Sequence, residues 1–206
     1  MSLGVFLQAL DYFGVAVFAV SGALVAARKG MDWMGFILIA TATGIGGGTL
    51  RDLLLDRPVY WIDEWQYLVI CIAAAFITFY MIRHLRRRLS WLLWADAIGM
   101  AAFTVIGVEV ALGMGVSPFI AVIMGVMTAT FGGLIRDVIA GEMPLLLHRE
   151  VYASAALLGG IVYVLVVILI DQGYVAAIAA FVTALVIRGL GITFHWHLPS
   201  FPGREG

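Results

Sequence analysis

Apolar stretches about 20 residues long follow one another along nearly the whole chain, and they restrict its fold more than any other feature. The hydrocarbon core of a bilayer is about 30 Å thick, so a helix rising about 1.5 Å per residue needs about 20 residues to cross it. Only 12% of the 206 residues are charged and 63% are hydrophobic, whereas soluble domains carry about 25% charged residues. The sequence therefore predicts an all-α integral membrane protein.

Seven transmembrane helices are predicted, with short polar or Gly- and Pro-containing turns between them. Their ranges are about 3–27, 32–56, 65–82, 91–112, 118–140, 150–170 and 174–192. We expect residues 1–193 to form a single transmembrane domain, followed by a cytoplasmic tail over 194–206. The first stretch has no basic region before it and no small-residue cleavage site, so a removed signal peptide is not expected.

Basic residues predict the direction in which the chain crosses the membrane. Nine of the 12 lie at turns and ends that would share one face: Arg28, Lys29, Arg83, Arg86, Arg87, Arg88, Arg149, Arg188 and Arg204. Only Arg57 lies on the other face. Since basic residues collect on the cytoplasmic side, we expect the N-terminus outside and the C-terminus in the cytoplasm. The run 83–88 is interpreted mainly as a topology signal, with an anionic-lipid site as the alternative. No basic domain is present, so nucleic acid is not an expected partner.

The sequence repeats itself at an offset of 85 residues, as in the alignment of Asp11 with Asp96. The run 43–52 aligns with the run 128–137, and both contain Gly-Gly followed after two residues by Arg-Asp. Arg and Asp are otherwise rare in this chain, so their coincidence makes a chance match improbable.

Each copy of the repeat, about 3–82 and about 91–170, holds three predicted spans. Because three is an odd number, the second copy must cross the membrane in the opposite sense to the first. The seventh helix, about 174–192, lies outside this inverted 3+3 repeat. Inverted repeats with matching Gly-interrupted helices point to a central ion or substrate site.

Glycines cluster near the predicted midplane of the second and fifth spans, at Gly44, Gly46, Gly47, Gly48, Gly132 and Gly133. Each Gly in a helix costs about 1 kcal/mol relative to Ala, so we expect a kink or local unwinding that opens a polar path. The alternative is close helix packing through small residues. Because Arg-Asp follows both glycine groups, the polar path is favoured.

Charged residues within the spans are the candidate pore-lining or gating groups: Arg51, Asp52, Arg136, Asp137, Asp11, Asp96 and Glu109. Arg inside a span costs about 2.5–3.5 kcal/mol unless it faces a partner or water. Adjacent residues point about 100° apart on a helix, so Arg51 is not expected to pair with Asp52. Matching depths predict Asp11–Arg51 and Asp96–Arg136 pairs. The alternative role for these groups is a structural ion pair that locks the bundle.

Hydroxyl groups near the midplane are candidate cation contacts, at Thr43, Thr128 and Ser21, although a helical hydroxyl can also donate to the carbonyl four residues before it. Glu109 has no counterpart in the first copy and is expected to line an outer mouth or to compete for Arg51. His195 and His197 lack a third ligand, Cys71 lies in an apolar run, and no hydrolase motif occurs. We therefore predict no metal site, no cofactor and no enzymatic activity.

These motifs resemble the prokaryotic branch of the trimeric intracellular cation (TRIC) channel family. The resemblance rests on Gly-Ile-Gly-Gly-Gly-x-x-Arg-Asp in the second span, on Gly-Gly-x-x-Arg-Asp in the fifth, and on the segments 18–23 and 141–147. It implies a homotrimer in a prokaryotic cell membrane. It also implies a path for K⁺ and other monovalent cations in each subunit, lined by the kinked second and fifth helices. The hinge positions it implies are Gly46, Gly47, Gly48, Gly132 and Gly133.

A secondary transporter of a small amino acid such as glycine is the alternative function, since the same family has also been described in that way. A transporter usually needs a coupling carboxylate at the midplane, whereas Thr, Gly and backbone groups occupy it here, which favours a cation path. A scaffold protein would have no evident use for the repeated intramembrane charges. Animal members carry Lys-Glu where this chain has Arg-Asp, so their phosphoinositide binding is not carried over.

Overall fold

The structure is a computed structural model that describes residues 2–82, 88–148 and 151–196. Several residues used in the topology prediction lie outside this part of the chain, namely Arg83, Arg86, Arg87, Arg149 and Arg204. His197 and most of the predicted tail also lie outside it, as does the side chain of Arg88.

All regular structure in the described residues is helical. The helices are α1 (Leu3–Arg28), α2 (Trp33–Leu54), α3 (Tyr60–Asp63), α4 (Gln66–Met81), α5 (Arg88–Gly113), α6 (Pro118–Ile139), α7 (Ala153–Ile170) and α8 (Gly173–Phe194), with a 3-10 turn at Leu145–Leu147. The chain is thus an all-helical membrane protein. We call the end of the bundle where α1 begins and α2 ends the outer end, following the predicted topology, and the opposite end the inner end.

Six of the described helices are both long and apolar enough to cross a bilayer. The third predicted span, about 65–82, corresponds to α4, which has 16 residues and follows the short helix α3. At about 1.5 Å per residue, α4 alone covers about 24 Å, somewhat less than the hydrocarbon thickness. Between Leu54 and Gln66 the chain forms the separate short helix α3 and does not extend α4.

Corresponding turns of the two copies have the same local geometry. Asp32 caps α2 by accepting a hydrogen bond from Gly35 N at 2.9 Å, and Ser117 caps α6 in the equivalent way. Both helices are followed by a residue with positive φ, Asp56 after α2 (51°) and Gly141 after α6 (64°). These conformations reverse the chain directly after each Arg-Asp pair.

The centre of the bundle is formed by α1, α2, α5 and α6, which pack against one another. Phe18 of α1 and Phe103 of α5 meet edge to face there, with ring centroids 5.1 Å apart. α5 is the most enclosed of the spanning helices, and α8 packs on it and on α7. This arrangement places both Gly-Gly and Arg-Asp motifs in the interior.

Candidate ion pathway

α2 and α6 cross in direct backbone contact at the equivalent glycines Gly47 and Gly132. A Cβ atom added to Gly47 would overlap the carbonyl oxygen of Thr128, and one added to Gly132 would overlap the carbonyl oxygen of Thr43. Each helix therefore packs its glycine on the carbonyl preceding the other's glycine by four residues. This is the close packing through small residues that the sequence left as the alternative.

Neither helix is unwound at its glycines, since α2 and α6 are continuous α-helix across them. The remaining glycines make room for side chains. A Cβ on Gly44 would lie 2.8 Å from Cys71 Sγ, one on Gly46 2.8 Å from Ile135 Cδ1, and one on Gly48 2.7 Å from the Tyr60 ring. The expected local unwinding is absent from this conformation because intact helices already satisfy the backbone groups and the glycines are used for contact.

The hydroxyls of Thr43 and Thr128 are buried beside this crossing and donate to carbonyl oxygens of their own helices. Thr43 Oγ1 lies 2.6 Å from Ile39 O, and Thr128 Oγ1 lies 2.7 Å from Met124 O. The protons of both hydroxyls are therefore used within the helix.

The inner cluster consists of Ser21, Asp96, Arg136, Asp137 and Tyr152, and all five are buried. Arg136 donates from Nη1 to Asp96 Oδ1 at 2.6 Å and to Ser21 Oγ, and from Nε to Asp137 Oδ1 at 2.7 Å. The other oxygen of Asp137 accepts from the backbone N–H of Leu145 at 2.9 Å. Arg136 is thereby held by two carboxylates and a hydroxyl with no exposed surface.

The outer cluster consists of Asp11, Arg51, Asp52, Tyr60 and Tyr67. Arg51 pairs with Asp52 at 2.8 Å, and the backbone N–H of Tyr60 donates to the second oxygen of Asp52 at 3.0 Å. Asp11 accepts from the hydroxyl of Tyr67 at 2.9 Å, and the Arg51 guanidinium lies 5.6 Å from the centroid of the Tyr60 ring. Burial raises the pKa of Tyr60 well above its ordinary value, so this phenol stays neutral.

The predicted pairing holds at the inner cluster and is wrong at the outer one. Asp96 and Arg136 form the expected ion pair, whereas no ion pair within 4.0 Å joins Asp11 and Arg51 in the described residues. The expectation that adjacent Arg and Asp do not meet is also wrong, since Arg51 binds Asp52 and the same contact recurs in the second copy. The two side chains leave the helix about 100° apart, but the long Arg side chain bends toward the Asp, so its guanidinium reaches the carboxylate.

The outer cluster borders a cavity. A cavity of about 560 Å³ opens between α1, the ends of α2 and α4, and α5, and its wall includes Asp11, Arg51 and Tyr67. Three further charged residues line it: Arg57, Glu64 and Glu109. The outer cluster is therefore reachable from one end of the bundle, while the inner cluster is enclosed.

Glu109 lies in the wall of this cavity, as the first sequence alternative expected, and not beside Arg51. Its carboxylate accepts a hydrogen bond from the hydroxyl of Tyr163 on α7. Arg57 stands 3.6 Å from Asp52, so one carboxylate serves both arginines of the cavity. Asp11, Glu64 and Glu109 are then the carboxylates whose charge no arginine in the described ion pairs offsets.

Sequence reasoning missed the tyrosines of both clusters. Tyr67 and Tyr152 occupy equivalent positions of the repeat (67 + 85 = 152), and each lies beside the Asp of its copy. A Cβ on Gly133 would lie 3.1 Å from the Tyr152 hydroxyl and 3.3 Å from Asp96 Oδ1. Extending the repeat alignment into the fourth helix would have found this pair.

Arg188 differs from Arg28 and Lys29 in being buried. It was counted among the cytoplasmic basic residues, but it is fully buried within α8. Its guanidinium stays inside because it donates to Val151 O at 3.1 Å and lies 5.0 Å from the centroid of the Tyr152 ring. Arg28 and Lys29, by contrast, do lie at the inner end, where both contact Glu142.

Known proteins resemble this chain over nearly its whole length. A family model described as "Glycine transporter" matches it twice, over residues 8–83 and 93–168. A UPF0126 membrane protein of Vibrio cholerae is 43% identical over 197 residues, covering 95% of this chain and 82% of the relative. The UPF0126 inner membrane protein YadS of Escherichia coli is 40% identical over 195 residues, covering 93% and 94%.

The fold is also that of a solved channel structure. The TRIC trimeric intracellular cation channel orthologue from Rhodobacter sphaeroides matches with a TM-score of 0.90 at 44% sequence identity, covering 93% of this chain and 99% of the orthologue. The agreement therefore includes both repeat copies and α8.

Proposed function

The chain belongs to the prokaryotic branch of the TRIC channel family, and from that premise we propose that it is a K⁺-permeable channel for monovalent cations. It works as a homotrimer in a prokaryotic cell membrane, with one ion path in each subunit. Its first 193 residues form one transmembrane domain. The protein carries out no enzymatic reaction.

The cavity that ends at the outer cluster is the observation that carries this proposal. It admits ions from one end of the bundle as far as Asp11 and Arg51, and the α2–α6 crossing closes the path beyond them. The inner cluster stands on the other side of the crossing. The described conformation is thus the closed channel, with α2 and α6 as the walls that must move.

Seven crossings and the inverted repeat are part of the same proposal. α4 is the short third span of the first copy, and α3 precedes it at the outer end. The family model matches two stretches of equal length that start 85 residues apart (8 and 93), which supports two related copies. The reciprocal glycine contacts of α2 and α6 support a two-fold relation between them. The N-terminus then lies outside and the C-terminus in the cytoplasm.

Charge in the outer cavity favours cations over anions. Four carboxylates at the cavity (Asp11, Asp52, Glu64 and Glu109) outnumber its two arginines (Arg51 and Arg57), which leaves an excess of negative charge. Carboxylates at the mouth of a pore raise the local cation concentration. Deeper in, the carbonyl and hydroxyl oxygens at Thr43 and Thr128 are the groups that a dehydrated cation would meet.

Arg136 is the gate of the closed state. A buried arginine on the path repels cations unless carboxylates neutralise it. Here Asp96, Asp137 and Ser21 hold the Arg136 side chain in place. Opening requires Arg136 to exchange these partners as α2 and α6 separate. The contacts of Gly47 and Gly132 are with backbone carbonyls, so these two positions can separate without moving a side chain of their own.

A glycine transporter remains the second candidate, and the outer cavity is the observation that favours it. Its wall offers arginine for a carboxylate and carboxylates for an ammonium group, which is the complement of a zwitterionic amino acid. A transporter would use this cavity as its substrate site and would show no unitary currents.

Purified protein in a planar bilayer separates the two candidates. We expect stepwise K⁺ currents that persist without glycine, with K⁺ strongly preferred over Cl⁻. Arg136→Gln should raise the open probability, because the buried charge is removed, while Lys29→Gln at the exposed inner end serves as the charge-matched control. Saturable glycine uptake driven by a gradient, without unitary currents, would establish the transporter instead.

A further inference from the structure

α8 lies outside the repeat, yet it contributes a buried charge beside the inner cluster. Arg188 is in the last two turns of α8 and has no exposed surface. A buried arginine is costly unless its surroundings satisfy it. Its place in the molecule therefore depends on specific contacts.

Two of these contacts are made with the residues just before α7. Nη1 of Arg188 donates to Val151 O at 3.1 Å, and the guanidinium carbon lies 5.0 Å from the centroid of the Tyr152 ring. A cation over an aromatic face at this distance is attracted to it, and more strongly when water is excluded. The ring of Tyr152 is thus held from the side of α8.

Small residues allow α8 to pack closely against its neighbours around Arg188. A Cβ on Gly191 would lie 3.2 Å from Val151 Cβ, and one on Gly189 would lie 3.2 Å from the Trp94 ring of α5. Because both contacts are tight, α8 cannot approach further. Arg188 is held on a rigid support.

Tyr152 connects this support to the inner cluster. A Cβ placed on Gly133 would be within 3.3 Å of both the Tyr152 hydroxyl and Asp96 Oδ1. Asp96 in turn is the carboxylate that binds Arg136. Arg188, Tyr152, Asp96 and Arg136 therefore lie in series, with the Tyr152 hydroxyl and Asp96 Oδ1 as neighbours at Gly133.

The outer cluster contains the equivalent tyrosine with different support. The Tyr67 ring packs against Tyr12 and Tyr60, with centroids 4.6 and 4.5 Å away, and its hydroxyl donates to Asp11. Both supporting rings come from the first copy itself. A supporting cation from outside the repeat is found at the inner cluster alone among the described contacts.

We propose that Arg188 is a positioning residue that holds Tyr152 against Asp96 and thereby keeps the inner cluster closed. α8 thus controls how readily Arg136 leaves its carboxylates, without itself lining the path. This inference rests on the proposed channel function.

Single-channel recording of Arg188→Gln in a planar bilayer tests this role. We expect the open probability to rise about tenfold, since loss of a buried cation–π contact and a hydrogen bond destabilises the closed state by a comparable factor. The unitary conductance should not change. Arg188→Lys keeps the charge without the planar guanidinium and should give an intermediate open probability. Lys29→Gln, which leaves Glu142 bound to Arg28, should match the wild type.

Tyr152→Phe keeps the test decisive if Arg188→Gln does not assemble. This variant retains the ring for Arg188 but loses the hydroxyl beside Asp96, so its open probability should also rise. In the double variant the increase should not exceed that of the larger single variant, because both changes break the same series of contacts.

Two results would overturn the role of Arg188 while leaving the channel intact. In the first, the wild type conducts and the Arg188→Gln variant assembles with an unchanged open probability. If Arg188→Gln does not assemble, an unchanged open probability of Tyr152→Phe counts in the same way. The other is a changed unitary conductance, which would place Arg188 on the path itself. A wild-type protein without currents would overturn the channel function and this inference with it.

Discussion

The Arg51 cluster at the outer end and the Arg136 cluster at the inner end are built from the same motif, but their surroundings differ. In both clusters the Arg binds one oxygen of the Asp that follows it, and a backbone N–H eight residues after that Asp donates to the other oxygen. In both clusters a tyrosine also lies beside the Asp of the preceding helix. The outer cluster opens to a cavity of about 560 Å³, whereas Arg136 and Asp96 have no exposed surface. Arg51 and Asp52 are also nearly buried, so the two clusters differ in the cavity that Asp11, Arg51 and Tyr67 border at the outer end.

Equivalent residues of the two clusters therefore have different binding partners. Asp11 borders the cavity and accepts a hydrogen bond from Tyr67, while Arg51 acts on it as a nearby charge without a direct ion pair. Asp96 is fully enclosed and is bound by Arg136 at 2.6 Å. An enclosed carboxylate must be paired, while one at a cavity wall is stabilised by solvent. The four predictions below test this contrast and the α2–α6 crossing that separates the clusters.

The largest effect is expected at the crossing itself. Gly47→Ala places a methyl group against the Thr128 carbonyl, and since backbone lies on both sides the overlap cannot be relieved by a rotamer change. We expect a loss of about 3 kcal/mol or more in stability, and failure of much of the protein to assemble. The midpoint of thermal unfolding in detergent measures it.

Gly4→Ala is the matched control, because its added methyl group would contact nothing within 4 Å. It should leave the midpoint unchanged or raise it slightly, as Ala favours a helix. An equal midpoint for both variants would show that the helices are not in contact at Gly47.

Removing the carboxylate of Asp96 should destabilise the protein more than removing that of Asp11. Asp96→Asn leaves the buried guanidinium of Arg136 without its interhelical carboxylate, which costs about 3–5 kcal/mol. Asp11→Asn weakens one hydrogen bond at a cavity wall, which costs about 1 kcal/mol. Thermal unfolding of the two variants side by side gives the comparison, and equal losses would contradict the distinction between solvated and enclosed clusters.

Thiol accessibility should distinguish the two clusters in the closed state. Gln8→Cys places a thiol in the cavity wall, and Ser21→Cys places one at the buried Arg136. We expect a charged methanethiosulfonate reagent to modify the first at least about a hundredfold faster, since reaction of the second requires opening of the packed interior. The native Cys71 is buried and provides a low background. Similar rates would mean that the inner cluster is also open to water.

The smallest effect is expected from a single charge of the outer cavity. Glu109→Gln removes one of the three unneutralised carboxylates, so K⁺ conductance at low ionic strength should fall about twofold and recover at high salt. Asp63→Asn removes the same charge from an exposed site outside the cavity and should have no effect. A conductance loss that is equal in both variants, or that persists at high salt, would contradict the role of the cavity charge.

The bounds of a helix and one of the two interhelical ion pairs were predicted well. The range of about 118–140 for the fifth span corresponds to α6 at Pro118–Ile139, because the helix starts at a capping Ser-Pro and ends where the apolar run stops. The Asp96–Arg136 pair followed from equal depth and from the cost of an unpaired buried arginine. The same reasoning failed for Asp11 because it could not foresee that a cavity and Tyr67 would stabilise this carboxylate.

Sequence alone determined the membrane environment, the helical class and the equivalence of the two Arg-Asp motifs. These follow from composition, from the length of apolar stretches and from spacing, which are local properties of the chain. Only the tertiary structure decided that the glycines pack α2 on α6, that Arg188 faces inward, and that one cluster is open while the other is enclosed. These features depend on which helices, distant in sequence, pack together. The free-energy cost of burying a charged side chain is then set by the groups that this packing places around it.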